Sequence, residues 1–212
     1  MSVEVFGDKL SDPKDREMMA GLERGARRGA RIVRQLLVFS RSVSPVRVLV
    51  DSAELIHDAA QAVRASFPAN IQVVEHSNTG IWPVTADLGQ LRQVLEFLCA
   101  NSREAMPEGG TLTLAVENTK VTQRASTVDP WGKSGAFVVI TVTDTGHGIA
   151  PEIIGRIFDP FFSTKEAGKG AGLGLSTVHG IVTGHGGNVT VESEPAHGAT
   201  FRVFLPATMP KV

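Results

Sequence analysis

The chain has 212 residues, 42% of them hydrophobic and 20% charged, with a formal net charge of -1. That is the composition of a globular domain with a short extra element, and its near-neutral balance argues against nucleic acid or a membrane surface held by bulk charge. The single cysteine, Cys99, cannot close an internal disulfide, and no signal peptide or membrane-length apolar run occurs. A cytoplasmic setting without direct membrane contact is expected, whether or not a longer parent protein is membrane-anchored.

In chain order, "LSDPKDRE" carries a helix start, with Ser11 or Asp12 as N-cap and Pro13 in the first turn. Leu22, Ala26, Gly29, Val33, Leu36 and Ser40 then recur in steps of four and three, a coiled-coil-like seam flanked by Ile32, Leu37 and Phe39. Arg24, Arg27, Arg28, Arg31 and Arg34 lie mostly off that seam and read as a solvated face rather than a nucleic-acid patch. Residues 1–10 read as the tail of an earlier helix, so the segment is expected to be a truncated helical hairpin.

Pro45 ends the helix, and "SVSPVRVLVDS" reads as a linker. Asp51 or Ser52 caps a helix running to about Ser66, and "IQVVEHS" and "GIWPVTA" read as short strands around a turn. Asp87 starts a long helix with Leu88, Leu91, Val94, Leu95, Leu98, Cys99, Ala105 and Met106 at helical spacing, stopped by "PEGG". Strands "TLTLAVEN" and "AFVVITVTD" follow, then a glycine-rich region, a helix from about Gly172, and strands "NVTVESE" and "ATFRVFLP". This order predicts a sandwich of sheet and helices, not the regular strand–helix alternation of a doubly wound sheet.

Four stretches carry chemistry. "GKGAGLGLSTVHG" has the glycines of a phosphate loop but fits neither the dinucleotide fingerprint nor the Walker loop, since Lys169 precedes Gly170 rather than Ser or Thr. A mobile loop has the same composition. Asn101 is a polar residue on an otherwise apolar helix, read either as a structural hydrogen-bonding group or as a neutral oxygen ligand to Mg²⁺. Asp144, in "VTDTGHGI", ends a buried strand and is either a turn-stabilising residue or an acceptor for the exocyclic amine of adenine, where guanine would present a carbonyl instead. "IFDPFFSTK" places four large apolar residues around Pro160, either a local anchor or the hinge of a lid.

In this order the four stretches resemble the Bergerat-type ATP-binding domain shared by sensor histidine kinases, type II topoisomerases, the MutL repair protein and the Hsp90 chaperone. The likeness is closest to the histidine kinase catalytic domain. Its N box is similar to "QVLEFLCANSREAM", its first glycine box to "DTGHGI", its F box to "DPFFSTK" and its second glycine box to "GKGAGLGLSTVHGIV". "ARRGARIVRQLLVFSRS" resembles the second helix of the kinase dimerisation and phosphotransfer hairpin.

The resemblance implies an α+β two-layer sandwich, a mixed sheet against helices. It divides the chain into a partial hairpin over 1–44, a linker over 45–52 and a catalytic domain over 53–212. ATP and Mg²⁺ are the implied cofactors. Asn101 would hold Mg²⁺, Asp144 would bind adenine, and Gly146 and Gly148 would line the base pocket. The F box would bring Phe158, Phe162, Thr164 and Lys165 to the nucleotide. Gly170, Gly172, Leu173, Gly174 and Leu175 would form the lid end over the triphosphate, and Thr200 would lie on the strand beneath the adenine. The implied partners are a response-regulator receiver domain and, in the intact protein, a second copy of the kinase.

The sequence departs from the family pattern twice. Four residues before Asn101, where the family usually has a polar residue and the ATP-hydrolysing members a water-activating glutamate, stands Phe97. Hydrolysis is expected to be slow and transfer to a supplied nucleophile favoured. No histidine precedes His57, whose "HD" pair resembles an acceptor motif but reads as a helix-surface residue. The chain is therefore expected to bind Mg-ATP without autophosphorylating. The alternatives are a hydrolytic ATPase of this fold and a non-catalytic docking module that keeps it.

Overall fold

The computed structural model describes residues 46–121, 134–164 and 172–209. The expected hairpin helices, Lys165 and Gly170 lie outside them.

Two helices are capped as their sequences predict. Asp51 accepts the N–H groups of Ala53 and Glu54 at the head of α1 (Ser52–Ser66), and Asp87 accepts that of Gln90 at the head of α2 (Leu88–Ala105). α1 buries Leu55, Ile56, Ala60 and Val63, and α2 buries Leu91, Val94, Leu95, Leu98, Cys99 and Ser102. Each set forms one stripe at helical spacing.

The stripes pack on a five-stranded sheet. Its strands are β2 (Ile71–Ser77), β4 (Gly110–Val121), β5 (Gly135–Asp144), β6 (Asn188–Ser193) and β7 (Ala199–Pro206), in the order β2-β4-β5-β7-β6. β2 and β4 are parallel and the remaining pairs antiparallel, so the sheet is mixed. Alternation divides its faces. Val138, Ile140 and Val142 of β5 and Phe201, Val203 and Leu205 of β7 enter the main core with the helices, whereas Phe137, Val139 and Phe204 join Val121 in a smaller cluster. The fold is the expected α+β sandwich.

Three local readings differ. The stretch read as a linker contains a strand, β1 (Val48–Val50), which pairs antiparallel with β3 (Val84–Ala86). "GIWPVTA" is strand only from Val84, because Pro83 has no N–H to give a ladder. Trp82 instead donates its N–H to the Asn118 side chain at 2.9 Å. The last long helix, α4 (Gly174–Gly184), starts two residues later than expected and follows the one-turn helix α3 (Pro151–Ile154).

α4 is tied down at its C-terminal end. Buried His185 donates from Nδ1 to the Ile181 carbonyl at 2.8 Å and accepts the Asp87 N–H on Nε2 at 3.0 Å. The Arg47 guanidinium donates to the Gly184 carbonyl at 2.6 Å, a cation at the negative end of the helix.

Candidate nucleotide-binding site

Asp144 is the last residue of β5 and is 3% exposed. Its Oδ1 accepts the N–H groups of Gly146 at 2.9 Å and Ala199 at 3.3 Å. Its Oδ2 accepts the Ser102 hydroxyl at 3.0 Å. The turn-stabilising role considered for Asp144 is thus carried by one oxygen, and the other points to α2.

The glycine box leaves β5 and is fastened to two neighbours. The His147 N–H donates to the Ala105 carbonyl at the end of α2, and the His147 carbonyl accepts the Ala196 N–H from the β6–β7 turn. Gly148 has φ +70°, and a Cβ there would meet the Glu194 carbonyl, so the chain can pass only without a side chain. Gly198, which sequence reasoning passed over, has φ +78° and lies against the Asp144 backbone in the same way. A shallow cleft of about 510 Å³ opens beside this turn, lined by Glu192, Glu194, His197, Gly198 and Thr200 among others. It flanks the Asp144 loop rather than holding Asp144 or Asn101.

Asn101 sits one turn before the end of α2 and is half-buried. Among the described residues nothing hydrogen-bonds its side-chain amide, so the structural role considered for it is not taken up there. Phe97, one turn earlier on the same face, packs against α4, with a ring carbon 3.4 Å from where a Cβ on Gly174 would lie. Cys99 is buried and its thiol is pushed up to about 12 by desolvation, which leaves it an inert packing residue.

The F-box segment is held by ring contacts. Ile157 is buried, Phe158 lies 5.7 Å from the His179 ring, and the Arg156 guanidinium stands over Phe162 at 4.7 Å. Phe161 instead faces outward, 66% exposed at φ 66°, while its N–H donates to the Gly172 carbonyl. Thr164 is exposed. Leu173 and Leu175 turn out to be packing residues. Leu173 is 6% exposed and its carbonyl accepts the hydroxyls of Ser176 and Thr177, and Leu175 is packed against the main core. Among the described residues no side chain caps the start of α4, so its first-turn N–H groups have no side-chain acceptor there.

Thr200 is not brought to Asp144. It pairs with Thr143, and the two hydroxyl oxygens lie 3.1 Å apart on the face opposite Asp144. The β7 residue that shares the face of Asp144 is Ala199. Ser102 and Ala199 are the two hydrogen-bond partners of the Asp144 carboxylate that sequence reasoning missed. The signal for Ser102 was present: it stands four, seven and eleven residues after Leu98, Leu95 and Leu91, on the buried stripe of α2.

Residues 86–209 match the family described as histidine kinase-, DNA gyrase B-, and HSP90-like ATPase. The chain is similar to the sensor kinase CckA of Brucella abortus, 39% identical over 93% of this chain and 21% of the relative. It is also similar to the sensor protein FixL of Bradyrhizobium diazoefficiens, 34% identical over 93% of this chain and 37% of the relative. The chain thus spans less than two fifths of the length of these curated relatives. Among solved structures it is similar to full-length ShkA in complex with AMPPNP, at TM-score 0.75 and 24% identity over 99% of this chain and 42% of that one. It is similar also to the catalytic domain of the histidine kinase ThkA, at TM-score 0.59 and 28% identity over 77% of this chain and 99% of that one. Because the family match takes in more than half of the residues, the chain belongs to the histidine kinase-, DNA gyrase B- and HSP90-like ATPases, as an ATP-binding catalytic domain of the sensor histidine kinase type.

Proposed function

We propose that this chain presents Mg-ATP for phosphoryl transfer to a histidine of the intact kinase, for relay to an aspartate of a response-regulator receiver domain. The observation that carries this reading is the end of α2, where the Asn101 amide, unpartnered among the described residues, stands beside Ser102, the hydrogen-bond partner of Asp144. Asp144 accepts the exocyclic amine of adenine, and the flexible glycines let the loop lie close to a flat base. The first-turn N–H groups of α4 donate to phosphate oxygens, whose negative charge the helix dipole favours.

The residues present fit Mg²⁺. This ion takes few protein ligands and keeps waters and phosphate oxygens, and the Asn101 carbonyl oxygen is one hard, neutral donor. When bound, the ion supplies charge neutralisation on the phosphates. Phe97 places an aromatic ring, which cannot itself activate water, on the Asn101 face of α2, and this favours transfer over hydrolysis. For the intact protein the same reading takes a homodimer in the cytoplasm, as the resemblance to the kinase dimerisation hairpin implies.

Titration of the chain with Mg-ATP tests the reading. Micromolar to millimolar binding is expected, and Asp144→Asn should weaken it at least tenfold. Unchanged affinity in that variant would remove Asp144 from the adenine role. Steady phosphate release without any acceptor would favour the hydrolytic alternative.

A further inference from the structure

Asp144 has a hydroxyl partner, and it comes from an unexpected element. β7 offers a threonine beside the site, but its hydroxyl lies on the far face with Thr143. On the face of Asp144, β7 supplies only the Ala199 methyl and N–H. The hydroxyl comes instead from Ser102 on α2, 1% exposed, at 3.0 Å from Oδ2.

The hydrogen-bond inventory of the pair is then fixed. A carboxylate oxygen has two lone pairs. Those of Oδ1 are taken by Gly146 and Ala199. Oδ2 takes the Ser102 proton and keeps one lone pair. Ser102 is cut off from bulk water, so its only proton is committed to Asp144 and its oxygen retains acceptor capacity alone. Without that hydroxyl, the carboxylate would be held by one oxygen, and the broad torsion about its terminal bond would be restrained on one side only.

We propose that Ser102 is a positioning residue for base selection. It locks the Asp144 carboxylate so that the Ser102–Asp144 pair presents acceptors only, which admits a purine bearing an amino group at the recognised edge and rejects one bearing a carbonyl. The assignment rests on the nucleotide-binding reading above. It differs from that reading in placing part of the selectivity on α2 rather than on the aspartate alone.

The test is parallel titration of the whole chain with Mg-ATP and with Mg-inosine triphosphate, which carries a carbonyl in place of the amino group. The proteins compared are the unsubstituted chain, Ser102→Ala and Ser102→Thr, with unfolding midpoints measured alongside. Ser102→Ala is expected to lose about tenfold in ATP affinity and to narrow the ATP-to-inosine-triphosphate ratio by a similar factor, with Ser102→Thr recovering the ratio. If Ser102→Ala does not fold, Ser102→Cys, whose thiol is a weak donor, carries the same comparison. A purely structural role would weaken both nucleotides alike. A ratio unmoved in the hydroxyl-deleted variant overturns the assignment while leaving nucleotide binding intact. Failure of the unsubstituted chain to bind ATP would overturn the nucleotide reading and this assignment together.

Discussion

The Nε2 atom of His185 accepts the backbone N–H of Asp87 at 3.0 Å, joining the C-terminal end of α4 to the N-cap of α2. These two helices carry Gly174 and Asn101, so the bond fixes the elements on which the proposed phosphate and metal contacts depend. His185→Ala orphans the part-buried Asp87 N–H and removes the contact to the Ile181 carbonyl. Stability should fall by about 1–3 kcal/mol in denaturant unfolding, with the slope unchanged.

Asn101 offers the opposite case. Its side chain makes no hydrogen bond within the described residues, so Asn101→Ala should leave the unfolding free energy within about 0.5 kcal/mol of the parent. Mg²⁺-dependent enhancement of ATP affinity should nonetheless be lost. Titrations with and without Mg²⁺ separate the two effects, and a variant that keeps the full Mg²⁺ dependence would take the metal role away from Asn101.

Phe97 packs at the start of α4 on the Asn101 face of its helix. Phe97→Glu places a carboxylate where water can be activated. Phosphate release without an acceptor should rise above that of the parent. A rate as low as the parent's, in a variant that still binds ATP, would mean that Phe97 is not what suppresses hydrolysis.

Cys99 predicts an alkaline weakness. The folded thiol titrates near 12, raised by burial from an ordinary 9.0, so the folded state keeps its proton after the unfolded state has lost it. The stabilisation is complete below pH 9 and declines above it, by about 1 kcal/mol per pH unit until the folded thiol itself ionises. Cys99→Ala should be less stable at pH 7 through lost packing, yet show a flatter decline between pH 9 and 12. A thiol reagent at pH 8 should label the parent only once it is unfolded.

Gly198→Ala forces a Cβ against the Asp144 backbone at a left-handed φ. A loss of about 2 kcal/mol or more is expected from thermal unfolding. ATP affinity should fall with it, because the displaced strand carries the Ala199 N–H that holds Asp144.

Much of the domain was legible because its signals are local. Asp51 and Asp87 announce their helices with the side chains that cap them, and the apolar stripe of α2 predicts its buried face. β1 was not legible, since three residues are too few for alternation to show and its partner β3 lies more than thirty residues away. The exposed Phe161 was grouped with its partly buried neighbours because composition does not reveal which ring turns outward. Which β7 residue shares the face of Asp144 turns on a single residue of register, and the pairing gives that place to Ala199 and the opposite face to Thr200. Ser102 carried a usable signal in its spacing from Leu98, but serine on a helix draws little notice until the partner across the layer is known.

The alternation of β7 makes the turn before it a switch of surface chemistry. Removing one residue between Ser193 and Ala199 would slide β7 by one place against β5, bringing the Thr200 hydroxyl opposite Asp144 and the Phe201 ring opposite Thr143. The aspartate would then have two competing hydroxyl donors, one from each layer. The length of that short hairpin loop therefore bears on which ligand the buried carboxylate accepts, although no residue of the loop needs to touch it.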